Sequence, residues 1–477
     1  MVVLWMAASC VMQAQTLKKL VNRAPDGAGI GFLLTDGTVL YQGNGLSDWY
    51  KLTPDINGGY LNGTWAKQAS LQTGYVPDAF ASAVLADGRV VIVGGEYNNG
   101  AFTLTNLGAI YDPAANTWTS VNPPATWPYI GDSPATVLPN GKFLVGRKLD
   151  MKMAMLDPVT LKWTTVSFAG KSDFNAEEGW TLMPDGSVLT MDVKTAPNSE
   201  KYTPAHATVQ GKWTTEGSTI VDLHSPSSFG CLHYGPGGKL CYYPPGEIGP
   251  AILRPDGTVF ATGSTPTGGT SGHTAIYTPP ANPVNQGTWA VGPDFPRGDD
   301  AGDSYAALLP NGNVLVLGNS GKLYEFNGVS LTAGPSASGS LLVLPTGEVI
   351  VGGSQLYTTT GTYNSAWAPT ITSAPTTVVR GSTYKISGTQ FNGLSQAAAF
   401  GDELETATNY PLVRLTNQVT GHVFYGRTHG HSTMGVATGS AIVFTNFDVP
   451  AGAETGATSL EVVANGIPSV AMTVTVN

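Results

Sequence analysis

Seven β-blades closed into a propeller, with a small β-sandwich behind them, is the all-β fold this sequence predicts, and three observations predict it. A hairpin signature recurs seven times, turning at Asp36-Gly37, Asp87-Gly88, Asn140-Gly141, Asp185-Gly186, Asp256-Gly257, Asn311-Gly312 and, in weaker form, Thr346-Gly347. The turn glycines stand 51, 53, 45, 71, 55 and 35 residues apart, a spacing suited to four-stranded units that cannot bury both faces alone. Charged residues are only 12% of the chain against 60 glycines and 33 prolines, so few segments carry the charged flank of an amphipathic helix.

Each unit reads in the same order. Asp-Gly and Asn-Gly tolerate the positive φ of tight turns, so each signature joins two antiparallel strands. A third strand is marked by Tyr50, Tyr111, Leu156, Tyr202, Tyr277, Tyr324 and Tyr357, and a fourth by Trp65, Trp118, Trp163, Trp213, Trp289, Leu331 and Trp367. Ahead of the first unit, Met1–Gln15 is apolar and too short to span a bilayer, which fits the remnant of a secretory signal (residues 1–15) or, through Cys10, a lipoprotein site. The propeller is expected over 16–367, and Thr16–Val21 could supply a missing strand to the last blade. The longest interval holds an insertion near Ser218–Gly246 with His224, His233, Tyr242, Tyr243 and the pair Cys231 and Cys241. Such insertions are loops on one face, and an exported chain with two such cysteines favours a disulfide over buried thiols. Residues 368–477 carry short alternating strands, including Thr383–Ile386, Ala397–Phe400, Leu412–Leu415, Val436–Ala437 with Ile442–Thr445, Ser459–Val463 and Ala471–Val476, which suggests an immunoglobulin-like sandwich.

The net charge of -10 argues against nucleic acid, whose backbone needs clustered Lys and Arg, and fits neutral or cationic ligands or a metal. No stretch is suited to a transmembrane segment, and a secreted, periplasmic or cell-surface monomer is expected.

Chemistry is expected where the small-residue first strands begin, at one mouth of the axis. Counting back from the turn glycine, Asp132, Asp303 and Glu177 lie nine positions before it, Glu178 eight, Asp78 and Glu247 ten, and Asp26 eleven. Gathered carboxylates raise one another's pKa values, and could bind a metal, divide into acid and base, or hold sugar hydroxyls, unless each merely caps backbone N–H groups. Trp127, Tyr129, Trp180 and Tyr305 lie near the same starts and could stack on sugar rings or fill core. A second constellation is His422–Met434, where His429 and His431 share a strand face with Arg427 and Tyr425, in reach of a metal or forming an ordinary polar hairpin.

Blades such as Gly88–Gly95 with Tyr111–Thr119, and the Arg427-Thr428-His429 hairpin, resemble the galactose oxidase-like group, a seven-bladed kelch-type propeller followed by an immunoglobulin-like domain. The resemblance implies a terminal-domain His brought up the axis to copper, a role open to His429 or His431. The other implied ligands are missing: Ala79 or Phe80 stands near the cysteine, Asp132 replaces the cross-linked tyrosine, and Gly302-Asp303 replace a Tyr-His pair. Carboxylates shift the site towards hard oxygen chemistry.

The expected function is therefore a secreted carbohydrate-active enzyme, a glycoside hydrolase or polysaccharide lyase. Asp132, Asp303 and Glu177 would act as acid and base, assisted by His429 or His431. Arg427, Tyr425, Asp78, Glu178, Glu247, Trp127, Tyr129, Trp180 and Tyr305 would bind the substrate. A divalent metal, calcium or copper, could sit on His429, His431, Asp132 and Asp303. The alternatives are a copper oxidoreductase with an altered ligand set and a non-catalytic glycan- or protein-binding propeller.

Overall fold

The computed structural model describes residues 15–227, 230–234, 239–243, 245–400 and 406–477. The signal remnant up to residue 14, with Cys10, and the turn at 235–238 lie outside these residues. Among them, seven antiparallel sheets of four propeller strands form the blades of a β-propeller. The inner strands are Gly31–Leu33, Ala81–Val84, Ala135–Val137, Thr181–Leu182, Ala251–Leu253, Ala306–Leu308 and Leu341–Val343. The first touches both the second and the seventh, which closes the ring.

The turn acids explain why the hairpins form where they do. Side-chain oxygens of Asp36, Asp87, Asn140, Asp185, Asp256 and Asn311 each accept the backbone N–H two residues on, at 2.9 to 3.1 Å. The third- and fourth-strand aromatics pair across the ladder: Tyr111 faces Trp118, Tyr202 faces Trp213 and Tyr277 faces Trp289, with ring centroids 5.0, 5.3 and 5.1 Å apart. Leu331 does stand in the fourth strand of blade six, opposite Phe326. Blade seven departs from the pattern. Its outer strand is Thr16–Lys19 from the chain's beginning, paired with Gln355–Thr358, while Trp367 ends a short 3-10 turn instead of starting a strand.

The residues after Trp367 form a nine-stranded sheet around an apolar core that includes Ile386, Phe391, Val413, Phe447, Leu460 and Val474. Three of its backbone N–H groups, from Thr428, His431 and Met434, donate to Thr35, Ala86 and Pro139, the residues just before the turns of blades one to three. This region therefore covers the hairpin-turn end of the propeller. One segment goes further. Ala398–Ala399, expected within the sandwich, instead pairs with the inner strand of blade six and touches those of blades five and seven. Beside it the Gln396 amide donates to Thr136 Oγ1 (3.1 Å) and accepts from Leu182 N–H (2.7 Å), reaching blades three and four. The axis is thus filled by the terminal region, and Val436–Ala437, another expected strand, is irregular chain.

The turn glycines test this packing. Gly257 and Gly312 hold φ of +85° and +86°, but a Cβ would meet nothing within 4 Å at Gly257 and the Trp367 ring at 2.6 Å at Gly312. Gly257→Ala should cost roughly 1–2 kcal/mol for the left-handed backbone alone, and Gly312→Ala clearly more, measured by chemical denaturation. Equal losses would mean that Trp367 does not cover this turn.

Candidate functional site

The inner strands begin at the end away from the covered turns, and their starts are strained. Ala79, Glu177 and Asp303 adopt φ of 49°, 57° and 52°, and blade three places Gly131, φ 81°, just before Asp132. Holding such residues left-handed costs roughly 1–2 kcal/mol each, strain that clusters at functional sites.

The floor of this mouth is one buried ammonium. Lys148 follows the second strand of blade three, Phe143–Gly146, and its Nζ pairs with Asp132 and, at 2.5 Å, with Glu177 Oε1. The Tyr242 hydroxyl donates to that same Glu177 oxygen at 3.1 Å. Burial alone would depress the Lys148 pKa, but Asp132 and Glu177 outweigh it and hold the group well above its ordinary value. Lys148 is a fixed cation.

Three more carboxyls share its field. Burial, then the Glu177 and Asp303 charges, pushes Glu247 up to about 8. Burial and Glu177 push Asp303 up to about 6, although the side chain keeps a face open to solvent, as the wall of a concave mouth does. Burial likewise raises Glu96, which feels Lys148, Glu177 and Asp303. Glu247 exchanges hydrogen bonds with Ser225 of the insertion, whose neighbour His224 pairs through Nδ1 with Asp222 at 2.7 Å. Cys231 and Cys241 are joined in a disulfide that clamps the strands Leu232–Tyr234 and Leu240–Tyr242 and so holds the stretch bearing Tyr242. Tyr97, beside Glu96, and Tyr243 expose aromatic surface.

The structure therefore assembles Asp132, Glu177, Glu247 and Asp303 from the sequence expectation and gives the other candidates different partners. Glu178 reaches a different cation from Glu177, Lys171 inside blade four at 2.8 Å, the two lying ahead of the inner strand where the Glu177 backbone is left-handed. Asp78 is exposed and caps Ala79 N–H. Trp180 is core, 2% exposed and packed on Trp213. Trp127 and Tyr129 lie under the Arg147 guanidinium, 5.6 and 5.3 Å from their ring centres, and Tyr305 packs on Phe400 at 4.6 Å.

The His-bearing hairpin is the main correction. His431 donates its backbone N–H to Ala86 at the hairpin-turn end. The parallel path from Pro139 back to Asp132 spans seven residues, on the order of 20 Å at ~3.3 Å each, so His429 and His431 are not placed with the carboxylates. His429 Nε2 lies 3.1 Å from Asp448, which also takes Arg427 at 2.9 Å. Tyr425 is buried against Gly37 and Arg414.

Lys148, Glu96 and Tyr242 escaped the sequence reading. A signal for two of them existed: the second strand of a hairpin ends where the first begins, so the residues after Gly94-Gly95 and Gly146 return to the same mouth. Tyr242 arrives on the insertion, and no periodicity places it.

No protein-family model matches the chain, and no curated protein matches its sequence. Among solved structures it is similar to a fungal alcohol oxidase of the AA5 family in complex with copper, at TM-score 0.51 and 14% identity, over 98% of this chain and 100% of that one. A streptogramin B lyase gives TM-score 0.45 at 13% identity, over 73% of this chain and 98% of the lyase. The first likeness shows the propeller fold and carries no chemistry. Copper favours imidazole and thiolate donors, whereas this mouth offers carboxylates, an ammonium and a phenol, a set that does not fit it.

His431 has a different consequence. Burial and the neighbouring His429 push it down to about 3. Folding therefore favours its neutral form, so its stabilisation is complete above pH 6.5 and is lost as the pH falls towards 3, at about 1.4 kcal/mol per unit. Between pH 7 and 4.5 the wild type should lose roughly 2–3 kcal/mol relative to His431→Gln, read by chemical denaturation of both proteins at each pH. Parallel curves for the two proteins would contradict it.

Proposed function

We propose that this chain is an exported carbohydrate-active enzyme that hydrolyses glycosidic bonds of a neutral oligo- or polysaccharide at the axial mouth. The observation that carries the reading is convergence: Glu96, Asp132, Glu177, Glu247 and Asp303, from five different blades or the loops before them, act on one enclosed ammonium. Glycoside cleavage needs one carboxyl that keeps its proton and one that has lost it. Glu247 is the proton donor to the leaving oxygen. Asp303 is the base or nucleophile. Lys148 holds Asp132 and Glu177 in place and limits the negative field. Tyr97 and Tyr243 are the exposed rings on which a sugar would stack. The disulfide supports export, since such bonds persist in oxidising compartments.

The field also favours hydrolysis over elimination. A uronate substrate would bring a further negative charge to this acidic cluster, whose Lys148 ammonium is already enclosed by Asp132 and Glu177.

Incubation with a panel of polysaccharides, read by product mass, should give fragments heavier by one water from a neutral glycan. Activity requires ionised Asp303 and protonated Glu247, so kcat/KM should rise through about pH 6 and fall through about pH 8. Glu247→Gln should lower kcat by roughly 10²–10⁴ and remove the alkaline limb, and Asp303→Asn should remove the acid limb. Unsaturated or oxidised products, or unchanged turnover in both variants, would overturn the assignment.

A further inference from the structure

Blade four contains a second acidic cluster that the axial chemistry does not use. Asp173, Glu178, Asp192 and Glu200 are each at most 2% exposed, and the one cation among them is Lys171. Lys171 Nζ reaches Glu178 at 2.8 Å and Glu200 at 3.2 Å. Asp173 is oriented by the backbone: its Oδ2 accepts from Val193 and Lys194 N–H at 2.8 and 2.9 Å, and its Oδ1 from Phe174 N–H at 2.9 Å. Glu178 Oε2 accepts from the Thr190 hydroxyl at 3.1 Å. One carboxylate oxygen from each of Asp173, Glu178 and Asp192 lies within 4.8 Å of the other two. Asp192 supplies the independent observation. Its Oδ2 takes the Thr195 hydroxyl at 2.6 Å, while its Oδ1 is buried without a hydrogen-bond partner.

Four enclosed carboxyls facing one ammonium would, if all were ionised, leave an uncompensated negative charge, and an unsatisfied buried carboxyl oxygen is costly. Two oxygens bound to the same calcium at ~2.3–2.6 Å lie at most about 5 Å apart, which spans the observed triangle. We propose that blade four binds a structural divalent cation, Ca²⁺, on Asp173, Glu178 and Asp192. The ligands are oxygen only, as calcium takes, and magnesium gives up its waters reluctantly, which disfavours it in an enclosed site. The cation would tie the start of the inner strand of blade four to the loop after the second strand. This site is independent of the axial mouth.

Metal analysis and calorimetry of the full chain test the assignment. After dialysis against EGTA, added CaCl₂ should bind at about one ion per chain and raise Tm by several degrees at saturation, as mass action requires. Asp192→Asn should stay folded without calcium and lose both the binding and the Tm response, while Asp303→Asn keeps them. No calcium bound and no Tm change in the wild type would overturn the proposal, whatever the variants do. An undiminished response in Asp192→Asn, or an equal response to MgCl₂, would also overturn it.

Discussion

The pairing of the Lys148 ammonium with Asp132 and Glu177 is the interaction on which the mouth of this propeller depends. Five carboxyls sharing a field would repel one another, and at 4 Å two like charges cost about 4 kcal/mol at an effective dielectric of 20. One cation, enclosed and held by two of them, cannot neutralise the rest. Burial first, and then the repulsion left over, raises Glu247 and Asp303, whose pKa values fall on either side of neutrality. The floor supplies the field and the rim supplies the titrating groups.

A second constraint gives this mouth its geometry. The terminal region covers the hairpin turns of blades one to three and threads Gln396–Phe400 into the axis, where alanines fit between crowded inner strands. Phe400 packs on Tyr305, whose neighbour but one is Asp303, so the segment in the axis reaches close to the acids. Two surface clefts among the described residues lie elsewhere, one beside Lys19, Arg23 and Gly353 and another beside Met155, Phe168 and Tyr202, and neither contains the titrating groups.

Much of this was readable from residue order. Asp or Asn before each turn glycine announces a hairpin because its own oxygen closes the turn, and the Tyr and Trp that follow pair across the outer ladder. The register of carboxylates nine or ten positions before the turn was also legible for Asp132, Glu177, Glu247 and Asp303. Its failures have physical causes. Glu178 is adjacent to Glu177 ahead of the inner strand, where the left-handed Glu177 backbone breaks any alternation that spacing could have used. Ala397–Phe400 resembles a sandwich strand, since pairing partner and burial do not show in four small or apolar residues. His429 and His431 looked like an axial pair through a resemblance whose own ligand set is missing here. The structure sends a different segment of the same region up the axis, one without histidine. Tyr242 required knowing where a long insertion lands.

The most direct measurement is a titration of the glutamate and aspartate side-chain carboxyls by carbon-detected NMR, in the wild type and in a Lys148→Met variant that remains folded. The account predicts that the signal lost in Glu247→Gln titrates near pH 8 and the signal lost in Asp303→Asn near pH 6, with both moving higher once the ammonium is gone. Carboxyls that titrate at ordinary values, or that do not respond to the loss of Lys148, would contradict it.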